Sequence, residues 1–381
     1  MALAQEDDGA SRLKVLILSA STGNGHMSAA YAVEAELVRR GHDAKTVDVL
    51  DHTGKGFRRW YRGGYEVLVK KRPKVWGHLY KTSDKKRFNY WFQSGLDLSF
   101  VSRMRRFILK ENPDWILCTH SLPQPILARW RKRQGFRVGV VVTDLYPQLM
   151  WLRGDPDWFF VPGDWSQEIL ERRHPRAKGR TTVTGIPIDR LFGQHVPKAE
   201  VRTSLGLDSD LPTVLVTSGG IGGGPVGGVV REFTSLEGVQ TVVVCGRSEA
   251  ALKAANDAAR GQKGFTVKGL VPSPEMADLM KAADLIVAKP GGITTFEALA
   301  VGLPFVVFDP FLIPGQEEKN AEFLVENGIG KRAGDAKSLV VLVKGLLSDR
   351  KALADMSANA LKRAKPDAAE RIVAKLEELS V

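Results

Sequence analysis

The stretch KPGGITTFEALAVGLPFVVFDPFLIPGQEEKN, Lys289–Asn320, decides how the chain is read. The apolar run Asp284–Ala288 (DLIVA) predicts a strand entering Pro290-Gly291-Gly292, with an apolar-periodic helix from Ile293 or Thr294. Glycines at such a turn let a ligand approach the backbone, because no Cβ stands in the way. The helix start behind them offers unpaired N–H groups and a positive dipole end, which suits a phosphate or diphosphate. Glu297 falls one turn in, where a carboxylate can accept hydrogen bonds from hydroxyls such as those of a ribose. A second strand, Pro304–Phe308, leads into PGQEEKN, a loop dense in groups that hydrogen-bond to sugars. An ordinary strand–turn–helix fits the same residues, so the neighbouring segments decide between the two readings.

Working upstream, Val183–Phe192 (VTGIPIDRLF) and the polar segment to Asp210 read as a domain boundary. A strand Thr213–Thr217 follows, then a loop holding Gly219, Gly220, Gly222, Gly223 and Gly224, and a helix near Val226–Leu236. Strands are expected at Gln240–Cys245 and Phe265–Lys268, a helix at Ser273–Ala282, and two or three helices at the end of the chain. The first half opens on the same plan. LKVLIL (13–18) is a buried strand, SASTGNGH (19–26) a loop, Met27–Arg40 an amphipathic helix ended by Gly41, and Ala44–Leu50 a second strand. This βαβ opening implies a parallel sheet. Trp115–Cys118, Val138–Val142 and Trp158–Val161 continue it, with helices around Ser99–Lys110 and Pro123–Gln134. The expected fold is α/β: two Rossmann-like domains, 1–188 and 189–381, whose parallel sheets face a central cleft. The last helix is allowed to pack back on the first domain. Ligands bind at the carboxyl ends of such strands, where His26, Thr119, His120, Thr143 and Asp144 fall.

A length of 381 residues agrees with two domains, and 43% hydrophobic content with folded cores. Cys118 and Cys245 lie in apolar runs and read as buried thiols of a reducing compartment, with no disulfide or metal framework. The polar, acidic start MALAQEDDGASR has no signal-peptide character, and no run approaches the ~20 apolar residues that span a bilayer. The net charge of +12 is concentrated: between Lys55 and Gln93 stand 12 Lys/Arg and 2 Asp/Glu, which leaves the rest nearly balanced. These charges are interleaved with aromatic residues. Arg58, Arg59, Trp60, Tyr61, Lys70, Lys71 and Trp76 carry the pattern, one suited to an anionic membrane surface. Single-stranded nucleic acid accepts the same composition, but no nucleic-acid fold signature accompanies it, so the reading excludes nucleic acid. Part of the aromatic set also fits simple packing beneath helices.

Gly23-Asn24-Gly25-His26 follows a strand and opens a helix, which is the setting of a dinucleotide fingerprint. Ser28 replaces the third glycine, and Asp48 stands roughly where a ribose-binding acid would. A nicotinamide-dependent oxidoreductase is therefore a rival reading. In the other reading His26 is a general base, since a helix N-terminus lowers an imidazole's pKa and favours its neutral form. A His that merely caps the helix is the plainer account. Asp144 is placed to orient His26, to bind a substrate hydroxyl, or only to end a turn.

Taken in order, STGNGH, VVTD with Trp151 downstream, VTGIPI, VVVCGRSEAAL (Val242–Leu252), KPGGITTFEA and PGQEEKNAEF resemble the MGDG synthase and processive diacylglycerol glycosyltransferase family. That family belongs to the inverting GT-B enzymes of glycosyltransferase family 28, which also include the peptidoglycan enzyme MurG. The resemblance covers nearly the full chain, and the KPGGIT and PGQEEKNA segments are its most specific part. It implies a UDP-sugar donor bound mainly by the second domain and a lipid acceptor, such as diacylglycerol or a glycosyldiacylglycerol, bound mainly by the first. On this resemblance Gly291, Gly292, Ile293 and Thr294 cradle the diphosphate, with Gly219 and Gly220 facing them. Glu297 holds the ribose, and Gln316 and Glu317 the sugar hydroxyls. His26 deprotonates the acceptor, Asp144 assists it, and Gly23, Gly25, Gln148 and Trp151 line the acceptor loops. Gln148 departs from the pattern, because many relatives carry His there. The resemblance also implies a peripheral, monotopic enzyme on the cytoplasmic face of the cell membrane that needs no metal or other cofactor. A UDP-sugar epimerase of the same fold and a catalytically silent membrane-binding relative remain alternatives.

Overall fold

The computed structural model describes residues 12–21, 25–54, 56, 58–59, 98–124, 127, 135–152, 154–313, 315 and 317–381. The first sheet is built from β1 (Lys14–Ser19), β2 (Asp43–Asp48), β3 (Trp115–Cys118), β4 (Arg137–Val141), β5 (Trp158–Val161) and β6 (Thr181–Val183). Its order is β2-β1-β3-β4-β5-β6, with every neighbouring pair parallel. The second sheet holds β7 (Thr213–Thr217), β8 (Gln240–Val244), β9 (Phe265–Lys268), β10 (Leu285–Ala288), β11 (Phe305–Phe308) and β12 (Gly330–Ala333). It runs β12-β11-β10-β7-β8-β9 and is parallel throughout. TVLVT, LIVA and FVVF are buried at every residue. Continuous apolar runs of this kind form strands covered on both faces, as parallel sheets require.

The order of each sheet reverses once. In the first the reversal lies between β1 and β3, and in the second between β7 and β10. Loops leaving such a pair diverge to opposite faces and open a crevice at the carboxyl ends. STGNGH and Thr119-His120 leave the first pair; the Gly219–Gly224 loop and Lys289–Gly292 leave the second.

Two edge strands depart from expectation. TTV (β6) and GKRA (β12) are short and polar, and pairing with a neighbour makes them strands where side-chain pattern does not. The helix of the opening stretch starts at Gly292, with Gly291 as its extended N-cap. Most of the helix expected at 123–134 lies outside the described residues. Three helices close the chain, Ala336–Ser348, Arg350–Arg363 and Ala368–Ser380. The last of them packs on the first sheet: Ile372, Val373 and Leu376 are fully buried in one cluster with Val15, Ile17, Leu37, Trp115 and Leu117. Glu377 accepts from Arg40 Nη1 and pairs with His42, each at 2.9 Å, and Trp115 Nε1 donates to Ser380 Oγ at 2.8 Å. Each buried aliphatic side chain of that helix contributes about 2 kcal/mol to the join.

Candidate active site

Helix α1 (Gly25–Arg39) follows the first glycine loop and carries His26 in its first turn. The His26 Nδ1 lies 3.1 Å from the carbonyl oxygen of Thr119, at the end of β3, and 2.8 Å from Thr143 Oγ1 beyond β4. A carbonyl only accepts, so the ring hydrogen belongs on Nδ1 and the lone pair on Nε2. Burial holds the imidazole below its ordinary pKa, opposed by the nearby Asp144 carboxylate and the Thr119 bond. Asp144 is raised by burial, opposed by His26 and by the indole of Trp151, whose Nε1 donates to Oδ2 at 2.7 Å. Among the described residues no hydrogen bond joins Asp144 to His26: backbone and threonine orient the ring, while the carboxylate acts on it through charge. The arrangement holds an imidazole shifted towards its neutral form with the Asp144 carboxyl beside it.

The sequence reading left His120 without a role. It stands edge-on to His26, ring centroids 4.5 Å apart at 72°. Its Nδ1 accepts from the Leu122 N–H at 3.0 Å, and burial, with His26 adding to it, pushes its pKa well below the ordinary value. Trp151, expected among the acceptor residues, is only 1% exposed and braces Asp144 instead. The Gln148 Oε1 is buried without a hydrogen-bond partner among the described residues. Asp48, the rival reading's ribose acid, accepts from Ser21 N and Leu50 N, and so caps the turn Val49–His52.

Helix α2 (Gly292–Ala300) brings the opening stretch up to this base. A Cβ on Gly25 would lie 3.3 Å from Ile293 Cγ1, and one on Gly292 would lie 2.2 Å from the Thr143 carbonyl oxygen. Only glycine permits that second approach. Opposite, Gly219 and Gly222 adopt left-handed conformations (φ +80° and +68°), and a Cβ on Gly222 would meet the Cys245 carbonyl at 2.2 Å. Gly220 O accepts from Arg247 N, which pins this loop to the VCGR turn after β8. Gly220, Gly291, Ile293 and Thr294 all lie partly open between the two loops.

Glu297 is half-buried in α2, and among the described residues no side-chain hydrogen bond or ion pair engages it. Burial, with Asp189 adding to it, pushes its carboxyl up to about 8. Asp189, which caps the turn Arg190–Gly193 through Leu191 N, is the neighbour that sequence reasoning missed. Glu317 differs from expectation: it is 3% exposed, with one oxygen paired to Lys289 Nζ and the other accepting from Ile313 N at 2.8 Å. Its carboxylate ties the loop to Lys289 and to the Ile313 N–H rather than lying open to sugar hydroxyls. Asn320 Nδ2 donates to the Pro290 carbonyl at 2.8 Å and fixes the PGG turn.

Gly23, Gln316, Trp60, Tyr61, Lys70, Lys71 and Trp76 lie outside the described residues. Of the basic window, Arg58 is half-buried and bonds Asp51 Oδ1 at 3.0 Å, while Arg59 is exposed. No helix among the described residues is long and apolar enough to cross a membrane.

A family model described as monogalactosyldiacylglycerol (MGDG) synthase matches residues 26–188, and one described as glycosyl transferases group 1 matches residues 229–363. The monogalactosyldiacylglycerol synthase of Spinacia oleracea chloroplasts is 31% identical over 389 residues, covering 96% of this chain and 72% of its own. The processive diacylglycerol beta-glucosyltransferase of Bacillus subtilis is 28% identical over 362 residues, covering 91% and 90%. Among solved structures, Staphylococcus aureus MnaA with UDP superposes with a TM-score of 0.62 at 14% identity, over 95% of each chain. Acinetobacter baumannii MurG gives 0.60 at 15%, over 96% and 99%. These likenesses show the GT-B fold that the sequence predicts.

Proposed function

The chain belongs to the monogalactosyldiacylglycerol synthase family, and on that premise we propose that it is an inverting glycosyltransferase moving a hexosyl unit from a UDP-sugar to a membrane lipid such as diacylglycerol or a glycosyldiacylglycerol. The observation that carries this reading is the His26 ring, held by Thr119 with its basic nitrogen free, in the first turn of α1, where Gly25 lies against Ile293 of α2.

The acceptor hydroxyl gives its proton to His26 Nε2 as its oxygen attacks the anomeric carbon, and the bond from that carbon to the diphosphate breaks on the opposite face. The imidazolium so formed is stabilised by Asp144, and Trp151 keeps that carboxylate in place. Charge developing on the departing UDP meets the N-terminus of α2 at Gly291, Gly292, Ile293 and Thr294, with Gly219 and Gly220 opposite. These groups supply the stabilisation a metal would otherwise give, so the reading needs no metal or other cofactor. Glu297 takes the ribose hydroxyls, which fits a half-buried carboxylate with no partner of its own. Where the acceptor is a glycosyldiacylglycerol, the orphan Gln148 Oε1 accepts from one of its sugar hydroxyls.

Residues 1–188 form the acceptor side and 189–381 the donor side, with Ala368–Ser380 returning to the first. Arg58 and Arg59 open the basic–aromatic segment that rests on an anionic membrane surface, and the enzyme sits peripherally on its cytoplasmic face. The test is incubation with radiolabelled UDP-sugars and extracted membrane lipid. A labelled glycolipid is the expected product; conversion of one free UDP-sugar into another without lipid labelling would instead identify an epimerase.

A further inference from the structure

We propose that Lys289 binds the donor diphosphate and that Glu317 holds it in reserve, releasing the ammonium in exchange for a sugar hydroxyl when the donor arrives. The inference rests on the donor site described under the proposed function and adds to it a residue and an order of events.

Lys289 is the first residue after β10, on the strand pair where the second sheet reverses. Its side chain reaches across to the loop after β7: a Cβ on Gly219 would lie 2.9 Å from Lys289 Cε and 3.9 Å from Nζ. On the near side, a Cβ on Gly291 would lie 3.8 Å from the same Nζ. The ammonium therefore spans the gap between the two glycine loops, where bare backbone leaves room for phosphate oxygens.

In the structure this charge is paired with Glu317 Oε1. The two partners differ in setting: the Lys289 side chain is 22% exposed, that of Glu317 only 4%. The lysine is on the open side and the carboxylate on the closed side. A buried carboxylate left without a partner is strongly unfavourable, so the ammonium can leave Oε1 only if another donor replaces it. The remaining oxygen keeps the Ile313 N–H, which fixes the carboxylate while the exchange takes place. A sugar hydroxyl is the replacement that a UDP-hexose brings with it. Free UDP supplies the phosphates but nothing for Glu317, and so gains only half of the exchange. Lysine suits the task because its charge is compact and its stem flexible, whereas a guanidinium fork would lock onto the carboxylate.

Calorimetry with uridine, UDP and UDP-glucose on the wild type, Lys289→Met and Glu317→Gln tests this. Lys289→Met should leave uridine affinity within about twofold and weaken UDP by about tenfold or more, the usual effect of losing a charge-assisted bond. Glu317→Gln, which frees the lysine, should bind UDP at least as tightly as wild type and lose the preference for UDP-glucose over UDP. Wild-type UDP affinity in Lys289→Met overturns the proposal. So does a Glu317→Gln that weakens UDP as much as Lys289→Met, since the pair would then be a fixed brace. If Lys289→Met fails to fold by circular dichroism, the two Glu317→Gln outcomes decide. A wild type that binds none of the three ligands removes the donor site itself, a failure distinct from either variant result.

Discussion

Gly292 faces the carbonyl oxygen of Thr143 so closely that a β-carbon on it would lie 2.2 Å from that oxygen. The first residue of α2, after the second sheet's β10, thus abuts the segment just past β4 of the first sheet. Alanine at a helix position is otherwise favoured over glycine by about 1 kcal/mol. Here the clash is with backbone and outweighs that gain. Gly292→Ala should leave the secondary structure intact by circular dichroism while lowering kcat/KM about a hundredfold, because a base displaced by an ångström no longer meets its substrate. Wild-type turnover in this variant would mean that the two strand ends separate in the working enzyme.

His26→Ala should lower kcat by at least about a hundredfold and leave UDP affinity nearly unchanged. In the wild type the base must be unprotonated, and burial holds His26 below 6.5. The acid limb of kcat/KM should accordingly fall on the acid side of an ordinary histidine. A limb at or above 6.5 would assign the titration to another group.

Asp144→Asn separates charge from geometry. The Asp144 carboxylate raises the basicity of His26, so its loss should carry the acid limb further to low pH. The plateau should also drop about tenfold or more, because the imidazolium loses its counter-charge. A limb that does not move, in full pH profiles of the two proteins, would remove Asp144 from the electrostatics of the base.

Glu297 is shifted in the opposite sense from His26, and its deprotonation too should favour the reaction. Its carboxyl is raised from 4.5 to about 8. Ribose hydroxyls donate to the ionised form, so UDP affinity should rise with pH up to about 8, with a proton released on binding below it. Calorimetry in buffers of different ionisation enthalpy reads that proton directly. A raised carboxyl pKa also means that the folded state holds the proton more tightly than the unfolded chain. The folded state is therefore progressively destabilised as pH climbs from about 4.5 to about 8. Glu297→Gln should then melt higher than wild type at pH 8 while binding UDP more weakly.

Vesicles containing anionic lipid should bind the protein at low salt and release it as ionic strength rises. Arg58 is already engaged by Asp51 and Arg59 is exposed. Arg59→Ala should consequently cost about fivefold in vesicle affinity, the equivalent of ~1 kcal/mol per surface arginine, and Arg58→Ala less. Sedimentation with no binding at low salt would sink the membrane reading.

The buried strands were legible because their chemistry is local: TVLVT, LIVA and FVVF admit almost nothing else. The positions of His26 and of the Gly291-Gly292 turn were legible because each sits where a strand ends and a helix starts. The edge strands TTV and GKRA were not, since their structure comes from a neighbour rather than from their own residues. Nor was the brace on Asp144 visible; Trp151 reads as a loop aromatic until the fold buries it. Lys289 and Glu317 are 28 positions apart and meet only because two consecutive strands lie side by side. The charge of Asp189 acting on Glu297 has the same origin, with packing joining segments that no spacing rule connects.

The return of Ala368–Ser380 to the first sheet has a consequence for how the protein is made. Val15, Ile17, Trp115 and Leu117 share a cluster with Ile372, Val373 and Leu376. On the ribosome, the part of that face which Ala368–Ser380 covers stays bare through some 250 further residues of synthesis after β3 is complete. A fragment ending at the domain boundary carries the same bare surface for good. An exchange of halves between relatives must therefore cut the chain twice, once near 188 and again before 368, so that the closing helix travels with the sheet it covers.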